Sequence, residues 1–313
     1  MGSVIFKRPP LRRFRKQGSD LFGVDMHFHT RYSMDGVSRI TNMVKKAKKK
    51  DIGFAVTDHN EIKGVISAFK NRKGALVIPG IEVSCRNGTH IISYFYTKSE
   101  LEQFFNKKIK PRLKKNPYRA DISVSELINE LKDYNSIICA PHPFAAGAVS
   151  LQKINPTKKL IKSLDLVEVI NGYNFRRFNM KAVYWASSHN KAMCGGSDGH
   201  TTLELGKVLT FTKGTDIESI FKEMLKNRAV VIGKEEHLIF KMYMTARKET
   251  AYLRQSKKQK MAMKVLRSQL GSEYSNVKSK LKQGRMSPLL ERHPFKDKST
   301  SAAIQRKKRK LSK

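Results

Sequence analysis

Two histidines set two residues apart begin the chemistry of this chain, in the segment Asp25-Met26-His27-Phe28-His29, which leads on through Asp35 to Gly36. Side chains of an extended segment alternate between faces, so His27 and His29 leave on the same side and both imidazoles can reach one metal ion from a strand end. Asp35, placed before Gly36 in what reads as a turn, adds a hard oxygen ligand or an acceptor for a histidine. The pattern then recurs. An apolar run from Ile52 to Val56 passes directly into Thr57-Asp58-His59-Asn60, which exposes His59 at a strand end. Ala75 to Ile78 lead through Pro79-Gly80 to Glu82, a carboxylate among apolar neighbours, where burial is costly unless a cation compensates it. His90 opens the next apolar run, and His142 stands between Pro141 and Pro143 in what reads as a rigid rim loop. Asp198 and His200 follow what reads as a Gly195-Gly196 turn. Six of the nine histidines occupy such positions, leaving His189, His237 and His293 in helical or basic-tail contexts where surface or structural roles suffice.

Short apolar runs near 22–26, 52–57, 75–79, 89–95, 137–140, 166–170, 192–195 and 207–212 read as strands. Helical patterns over 38–50, 61–71, 123–134, 177–190 and 215–228 alternate with them, and Ser123 with Glu126 forms a capping box at the start of the third. This alternation favours parallel strands. Because the polar motifs fall at strand ends, it suits a barrel with its site at the carboxyl rim, with an open doubly wound sheet as the alternative. Residues 1–20 read as a basic N-terminal arm, with Ile5 and Phe6 able to tack it to the body, and 21–233 as the alternating βα body that carries the motifs. Residues 234–269 read as a basic helical extension, and 270–313 as a disordered basic tail ending in the run from Arg306 to Lys310.

The net charge of +37, from 63 lysines and arginines against 26 acidic residues, predicts attraction to polyanions. The tail's aromatics Tyr252, Tyr274 and Phe295 are isolated, so its contacts should be directed to phosphates and independent of sequence. Three cysteines without CxxC spacing, Cys85, Cys139 and Cys194, sit in or beside apolar segments as reduced core thiols would. No apolar leader or run long enough to span a membrane occurs, which makes the cytoplasm the default compartment.

At these motifs the sequence resembles the PHP (polymerase and histidinol phosphatase) superfamily over roughly residues 21–233. The resemblance rests on His27, His29, Asp35 and Gly36; on Thr57-Asp58-His59; on Gly80-Ile81-Glu82; on His90; on His142-Pro143; and on Ser197-Asp198-Gly199-His200. It implies a distorted (β/α)7 TIM-like barrel holding two or three divalent ions. Carried over, His27, His29, Glu82 and Asp198 are ligands of one ion; Glu82 bridges to a second held by His90 and His142; and Asp35, His59 and His200 hold a third. The family varies at the Asp35 position between aspartate and histidine, so the number of ions stays open, as does the choice among manganese, zinc and iron. The resemblance further implies catalytic roles for Glu82, Asp198 and His200 in phosphoester hydrolysis by metal-activated water. Asp25 is expected to orient a ligand imidazole or to cap a turn, with Asp58 and Asn60 in supporting roles.

The segment Val167-Glu168 to Arg177 also resembles the family's strand and loop before the closing motif. There Glu168 and Asn171 are expected to line the site. Either Arg176 or Arg177 would grip a substrate phosphate, unless both begin a solvent-facing helix. The favoured function is a phosphoesterase acting on nucleotides or short nucleic acids. The alternatives are a small-molecule phosphatase of the histidinol-phosphate type and a weakly active nucleic-acid-associated accessory protein.

Overall fold

The apolar runs become strands, and their pairing order brings the polar ends of those strands together. Residues 2–9, 20–113, 118–146, 149–237 and 241 are described in a computed structural model of the chain, all within one compact unit, Met1–Lys257; the second unit, Lys258–Lys313, lies outside them. The expected helical extension, apart from residues 234–237 and 241, and the expected disordered tail therefore fall outside the described residues.

Among the described residues the strands are β1 (Ser3–Ile5), β2 (Phe22–Asp25), β3 (Gly53–Val56), β4 (Val77–Ser84), β5 (His90–Phe95), β6 (Ser136–Ala140), β7 (Leu166–Asn171), β8 (Ala192–Gly196), β9 (Val208–Thr212) and β10 (Val230–Gly233). The α-helices are α1 (Ile40–Lys50), α2 (Lys63–Asn71), α3 (Lys98–Phe104), α4 (Val124–Leu131), α5 (Lys158–Lys162), α6 (Arg176–Ser188) and α7 (Ile217–Leu225). The expected capping box is present at α4: Ser123 Oγ accepts from the Glu126 N–H and Glu126 Oε2 accepts from the Ser123 N–H. Helix α1 buries Ile40, Met43, Val44 and Ala47 on one stripe and leaves Lys45, Lys48 and Lys49 exposed, the periodicity that made it legible.

The sheet runs in the order β1-β10-β9-β2-β3-β4-β5-β6-β7-β8. Strands β2-β3-β4 and β6-β7-β8 are parallel sets, as the βα alternation implies, but β5 is antiparallel to both of its neighbours. The reason lies in the connection. Only residues 85–89 separate β4 from β5, closed by the Cys85 N–H donating to Thr89 O, and so short a link makes a hairpin where a parallel pair needs a long crossover. Strand β9 is antiparallel to both β2 and β10, and β1 adds parallel to β10, so the tip of the expected N-terminal arm belongs to the sheet.

The curled sheet returns on itself where β8 meets β2. The Met26 N–H reaches Gly195 O at 3.4 Å, the Asp198 N–H donates to His27 O at 2.9 Å, and the His29 N–H donates to Gly199 O at 2.8 Å. Strands β2 to β8 thus make a distorted seven-stranded barrel, with β9, β10 and β1 flanking it. Gly195 and Gly196, read from sequence as a turn, are the last two residues of β8. A Cβ at Gly196 would stand 2.3 Å from His27 Cβ and 2.4 Å from His27 N, so the side chain is missing because two backbones touch.

One buried cluster draws on each of the seven barrel strands, including Val24, Ala55, Ile78, Ile92, Cys139 and Leu166, with Ile220, Phe221 and Met224 of α7 packed into it. A larger one packs the helices on the sheet. The three cysteines are free and buried. No helix among the described residues is long and apolar enough to cross a membrane.

Candidate metal centre

His27 and His29 directly follow β2, with Phe28 between them fully buried in the core on the opposite face. The extended segment is held by Thr57, whose N–H donates to Phe28 O and whose Oγ1 accepts from the Phe28 N–H at 3.0 Å. The alternation read from sequence is therefore kept although the ladder has ended. His59 follows β3, His142 follows β6, and Asp198 and His200 follow β8. His90 opens β5, and because that strand is antiparallel its amino end reaches the rim where its parallel neighbours end. All nine expected ligands gather at this one rim.

Glu82, inside β4, is the hub. Its Oε1 lies 3.0 Å from His90 Nδ1 and 3.1 Å from His142 Nε2. Its Oε2 lies 3.3 Å from both His27 Nε2 and His29 Nε2, and 3.2 Å from His59 Nδ1. Asp198 Oδ1 stands 3.2 Å from His29 Nε2 and 3.5 Å from His27 Nε2. Asp35 Oδ2 receives His200 Nε2 at 2.7 Å and faces His59 Nε2 at 3.6 Å. Among the described residues three groups have ligand atoms within 4.8 Å of one another: His27, His29 and Asp198; His29, Asp35 and His59; His59, Glu82 and His90. They overlap the three expected sets without matching them, since His29 also joins the Asp35 group and His59 the Glu82 group. His142 and His200 fall in none of the three but touch Glu82 and Asp35.

The electrostatics fit cations. Burial alone would raise the Glu82 carboxyl, yet His59, His90 and His27 hold it well below the usual range. Asp198 and Asp35 behave in the same way, against burial, beside His27 and His200 respectively. Burial pushes His59 and His90 down to about 4, which favours the neutral ring, whereas Asp198 and Glu168 beside His27, and Glu82 beside His142, hold those two imidazoles up against burial. The Nε2 atoms of His27 and His29 face each other at 3.1 Å, and the Nδ1 atoms of His142 and His200 are buried without a hydrogen-bond partner. Six imidazoles and three ionised carboxylates, with ring nitrogens converging, form a donor set suited to several divalent ions. The backbone is strained here as well: His142, Asp198 and Asn60 have φ of 29°, 49° and 48°. Such conformations persist where surrounding contacts impose them, as happens at functional sites.

Glu168 holds the arrangement from below. Its Oε1 lies 3.0 Å from His27 Nδ1, and its Oε2 accepts from the His142 N–H at 2.8 Å and from Asn171 Nδ2 at 2.9 Å. Asn171 is buried and also donates to Asp198 Oδ2 at 3.1 Å, so the structure places it among the supports of the ligands. Asp25 does not meet an imidazole side chain. It accepts from the Ser197 N–H, Ser197 Oγ and the Gly206 N–H, capping the turn that carries Asp198. Asp58 is bound to Thr30 through N–H and Oγ1. Arg176 is turned to Glu235, 3.0 Å away, and stacks over Phe6; Arg177 lies over Phe175 and Phe178 on an exposed helix start.

The sequence reading missed three supports. Ser33 Oγ donates to Asp35 at 2.7 Å and accepts from the His59 N–H, Ser84 Oγ lies 3.2 Å from His59 Nδ1, and Glu204 accepts from the His200 N–H. A lone loop serine carries no spacing signal by which it could be found.

Because three donors converge on Glu168, an amide there would turn its own N–H toward one of them. Glu168→Gln is expected to weaken manganese binding by about 10- to 100-fold, the usual loss when a group that orients a ligand is removed. Calorimetric titration of the metal-free protein checks this, and unchanged affinity would show that His27 is oriented by something else.

A family model described as PHP domain matches residues 25–239. The uncharacterized protein MJ1587 of Methanocaldococcus jannaschii is 31% identical over 163 residues, covering 48% of this chain and 82% of the relative. Another from that organism, MJ0417, is 27% identical over 188 residues, covering 58% and 67%. Among solved structures, a two-domain protein from Bacteroides vulgatus containing a predicted PHP-like metal-dependent phosphoesterase superposes with a TM-score of 0.53 at 16% identity, covering 75% of this chain and 69% of that one. The lesion-specific endonuclease from Pyrococcus furiosus gives 0.54 at 18% identity, covering 67% of this chain and 57% of the endonuclease. At these identities the structural likeness speaks to the fold.

Proposed function

The chain belongs to the PHP family and is a metal-dependent phosphoesterase, and from that premise we propose that it hydrolyses nucleotides or short nucleic acids at a centre of two or three divalent ions. One observation carries the reading: the Glu82 carboxylate, held ionised, lies 3.0 to 3.3 Å from nitrogens of five imidazoles, with two further carboxylates beside them. In this proposal Glu82, Asp198, His200, Asp35 and the histidines 27, 29, 59, 90 and 142 hold the ions. Manganese, zinc and iron all suit the mixed nitrogen and oxygen donors. When bound, such ions lower the pKa of water and neutralise charge on phosphoryl oxygens.

The chain's own residues supply the rest. Glu168 Oε1, 3.0 Å from His27 Nδ1, would hold a proton on that nitrogen when an ion is bound and so turn Nε2 to the centre as the donor. His27 and His29 are fully buried and seal the inner side, whereas Asp35, His59, His90 and Asp198 keep 11 to 15% of their side-chain surface open. The phosphate therefore approaches the edge formed by those four.

Two features favour a nucleotide or nucleic-acid substrate over histidinol phosphate. The charge of +37 draws polyanions, and the fold is shared with a lesion-specific endonuclease. A reducing cytoplasm suits the three free cysteines. The test is a panel assay with manganese on 5′-phosphorylated and unphosphorylated DNA and RNA oligonucleotides, nucleoside bisphosphates and histidinol phosphate. Preference for histidinol phosphate would replace the nucleotide reading. Separation of terminal from internal products assigns monoester or diester cleavage.

Capture and chemistry should come apart when the chain is cut after residue 269. A protein making six to ten phosphate contacts loses about 10³ to 10⁵ in affinity between 50 and 200 mM salt. Removing the basic tail is expected to weaken binding to long nucleic acids and flatten that slope while mononucleotide turnover persists, because the nine proposed ligands all precede residue 201. Binding at two salt concentrations decides it: an unchanged slope would reject the capture role.

A further inference from the structure

A cleft of about 520 Å³ opens beside the metal centre, and His59 belongs to both. Its walls are largely apolar: Tyr32 comes from the loop after His29, Ile66 from α2, and Phe105 and Tyr118 from the segment after α3. Tyr32 and Ile66 leave 38% and 42% of their surface exposed, an apolar lining that packing of the fold does not account for. One wall is also unusual in its backbone. Helix α3 passes into a single π-helical turn, Phe105–Ile109, then a 3-10 turn beginning at Lys110, and this places Phe105, Asn106 and Lys110 on the cleft. Isolated π turns are rare and concentrate at functional sites.

The charged side chains lining the cleft are two lysines, Lys63 and Lys110, and two glutamates, with Glu61 paired to Lys63 at 2.8 Å and Glu102 paired to Lys98 at 2.8 Å. The occupant that suits it is therefore neutral, flat and apolar on its faces, and attached to a phosphate reaching His59. A sugar alone would leave its hydroxyls against aromatic walls, and a cationic amine would find little net charge. The volume falls within the range of pockets that enclose small ligands of nucleoside size. We infer that this cleft binds the nucleobase of a nucleotide whose phosphate sits at the His59–Asp35 edge, an inference that rests on the phosphoesterase reading above.

Two measurements on the full-length, manganese-loaded protein test it: calorimetric binding of adenosine, which carries no phosphate, and steady-state hydrolysis of AMP, ribose 5-phosphate and histidinol phosphate. Adenosine is expected to bind by itself, and KM for AMP to lie at least about tenfold below that for ribose 5-phosphate, the scale of stacking one base on an aromatic side chain. Tyr118→Ala and Tyr32→Ala should each weaken adenosine binding about tenfold and raise KM for AMP toward that of ribose 5-phosphate, with kcat for AMP retained, because the lost contact is shared by ground and transition states. Tyr118→Phe keeps the ring and should keep the discrimination, which separates loss of stacking from loss of fold. Equal KM values for the three substrates, or adenosine binding indifferent to both alanine variants, would overturn the base site and leave the phosphoesterase reading standing. Adenosine binding that responds to the variants in a protein hydrolysing no phosphoester would uphold the cleft and sink the phosphoesterase reading instead.

Discussion

Glu82→Gln is expected to abolish phosphoester hydrolysis, by at least about 10³-fold, and to strip most of the bound metal while the chain stays folded. The carboxylate sits within 3.3 Å of nitrogens from His27, His29, His59, His90 and His142, and no other residue of the site touches so many. Glutamine has the same shape, so packing around β4 is kept, and so is the backbone link in which the Asn60 N–H donates to residue 82 O. What changes is charge. The amide offers a single acceptor and turns an N–H₂ toward imidazoles, and breaking a buried charged network by removing one partner costs roughly 3–5 kcal/mol. Metal content after gel filtration, circular dichroism and hydrolysis of a nucleotide check the three parts. Hydrolysis that survives both chelation and this substitution would sink the metal mechanism. His200→Ala should cost less metal, because its ring touches Asp35 at the margin of the cluster and no hub.

The residues that act by type were legible because they stand at the boundaries of apolar runs. His27 and His29 could be placed on one face from the period of an extended chain, and Glu82 could be singled out because a carboxylate among Ile81 and Val83 needs compensation. Their meeting at one rim depended on something the βα alternation concealed, the reversal of β5, which carries His90 to the right end. A five-residue link containing Asn87 and Gly88 was the available signal for that hairpin. Glu168 is harder to foresee. Its partners His27 and His142 lie 141 and 26 residues away, and only the curvature of the sheet brings them within hydrogen-bond reach. For the same reason Asn171 and Arg176 could not be told apart from sequence. Asn171 ends β7 and Arg176 follows five residues on, yet one points to Asp198 from inside and the other is drawn outward by Glu235. The cleft beside His59 depended on a π turn, for which the sequence around Phe105 carries no periodic mark.

The close approach of Gly196 to His27 serves both the barrel's closure and the site's geometry, and Gly196→Ala is expected to damage both. Gly196 lacks a positive φ, so alanine suits its backbone; the obstacle is space. The added Cβ would stand 2.3 Å from His27 Cβ and 2.8 Å from His27 Cα, and backbone, unlike the end of a flexible side chain, cannot swing aside. Strand β8 is tied to the β2 segment by the Asp198 N–H at 2.9 Å from His27 O, so separation by roughly 1 Å breaks that bond and shifts His27 relative to Asp198 and Glu168. Overpacking of this kind costs about 1–3 kcal/mol and occasionally more. At the upper end that lowers Tm by about 6–12 °C for a domain of this size. Manganese affinity should fall with it, since a misplaced imidazole loses its lone-pair direction. Gly74→Ala is the matched comparison. Gly74 has φ of +80° and nothing within 4 Å of the place an alanine methyl would take, so its cost is conformational alone, about 1–2 kcal/mol, with metal binding untouched. Thermal melts and manganese titrations of the two variants decide between readings. If Gly196→Ala melts with the native protein, the crowding at His27 is relieved by some easier movement. If it melts lower but binds manganese as before, β8 closes the barrel without setting the position of His27, and the two functions of that contact are separate.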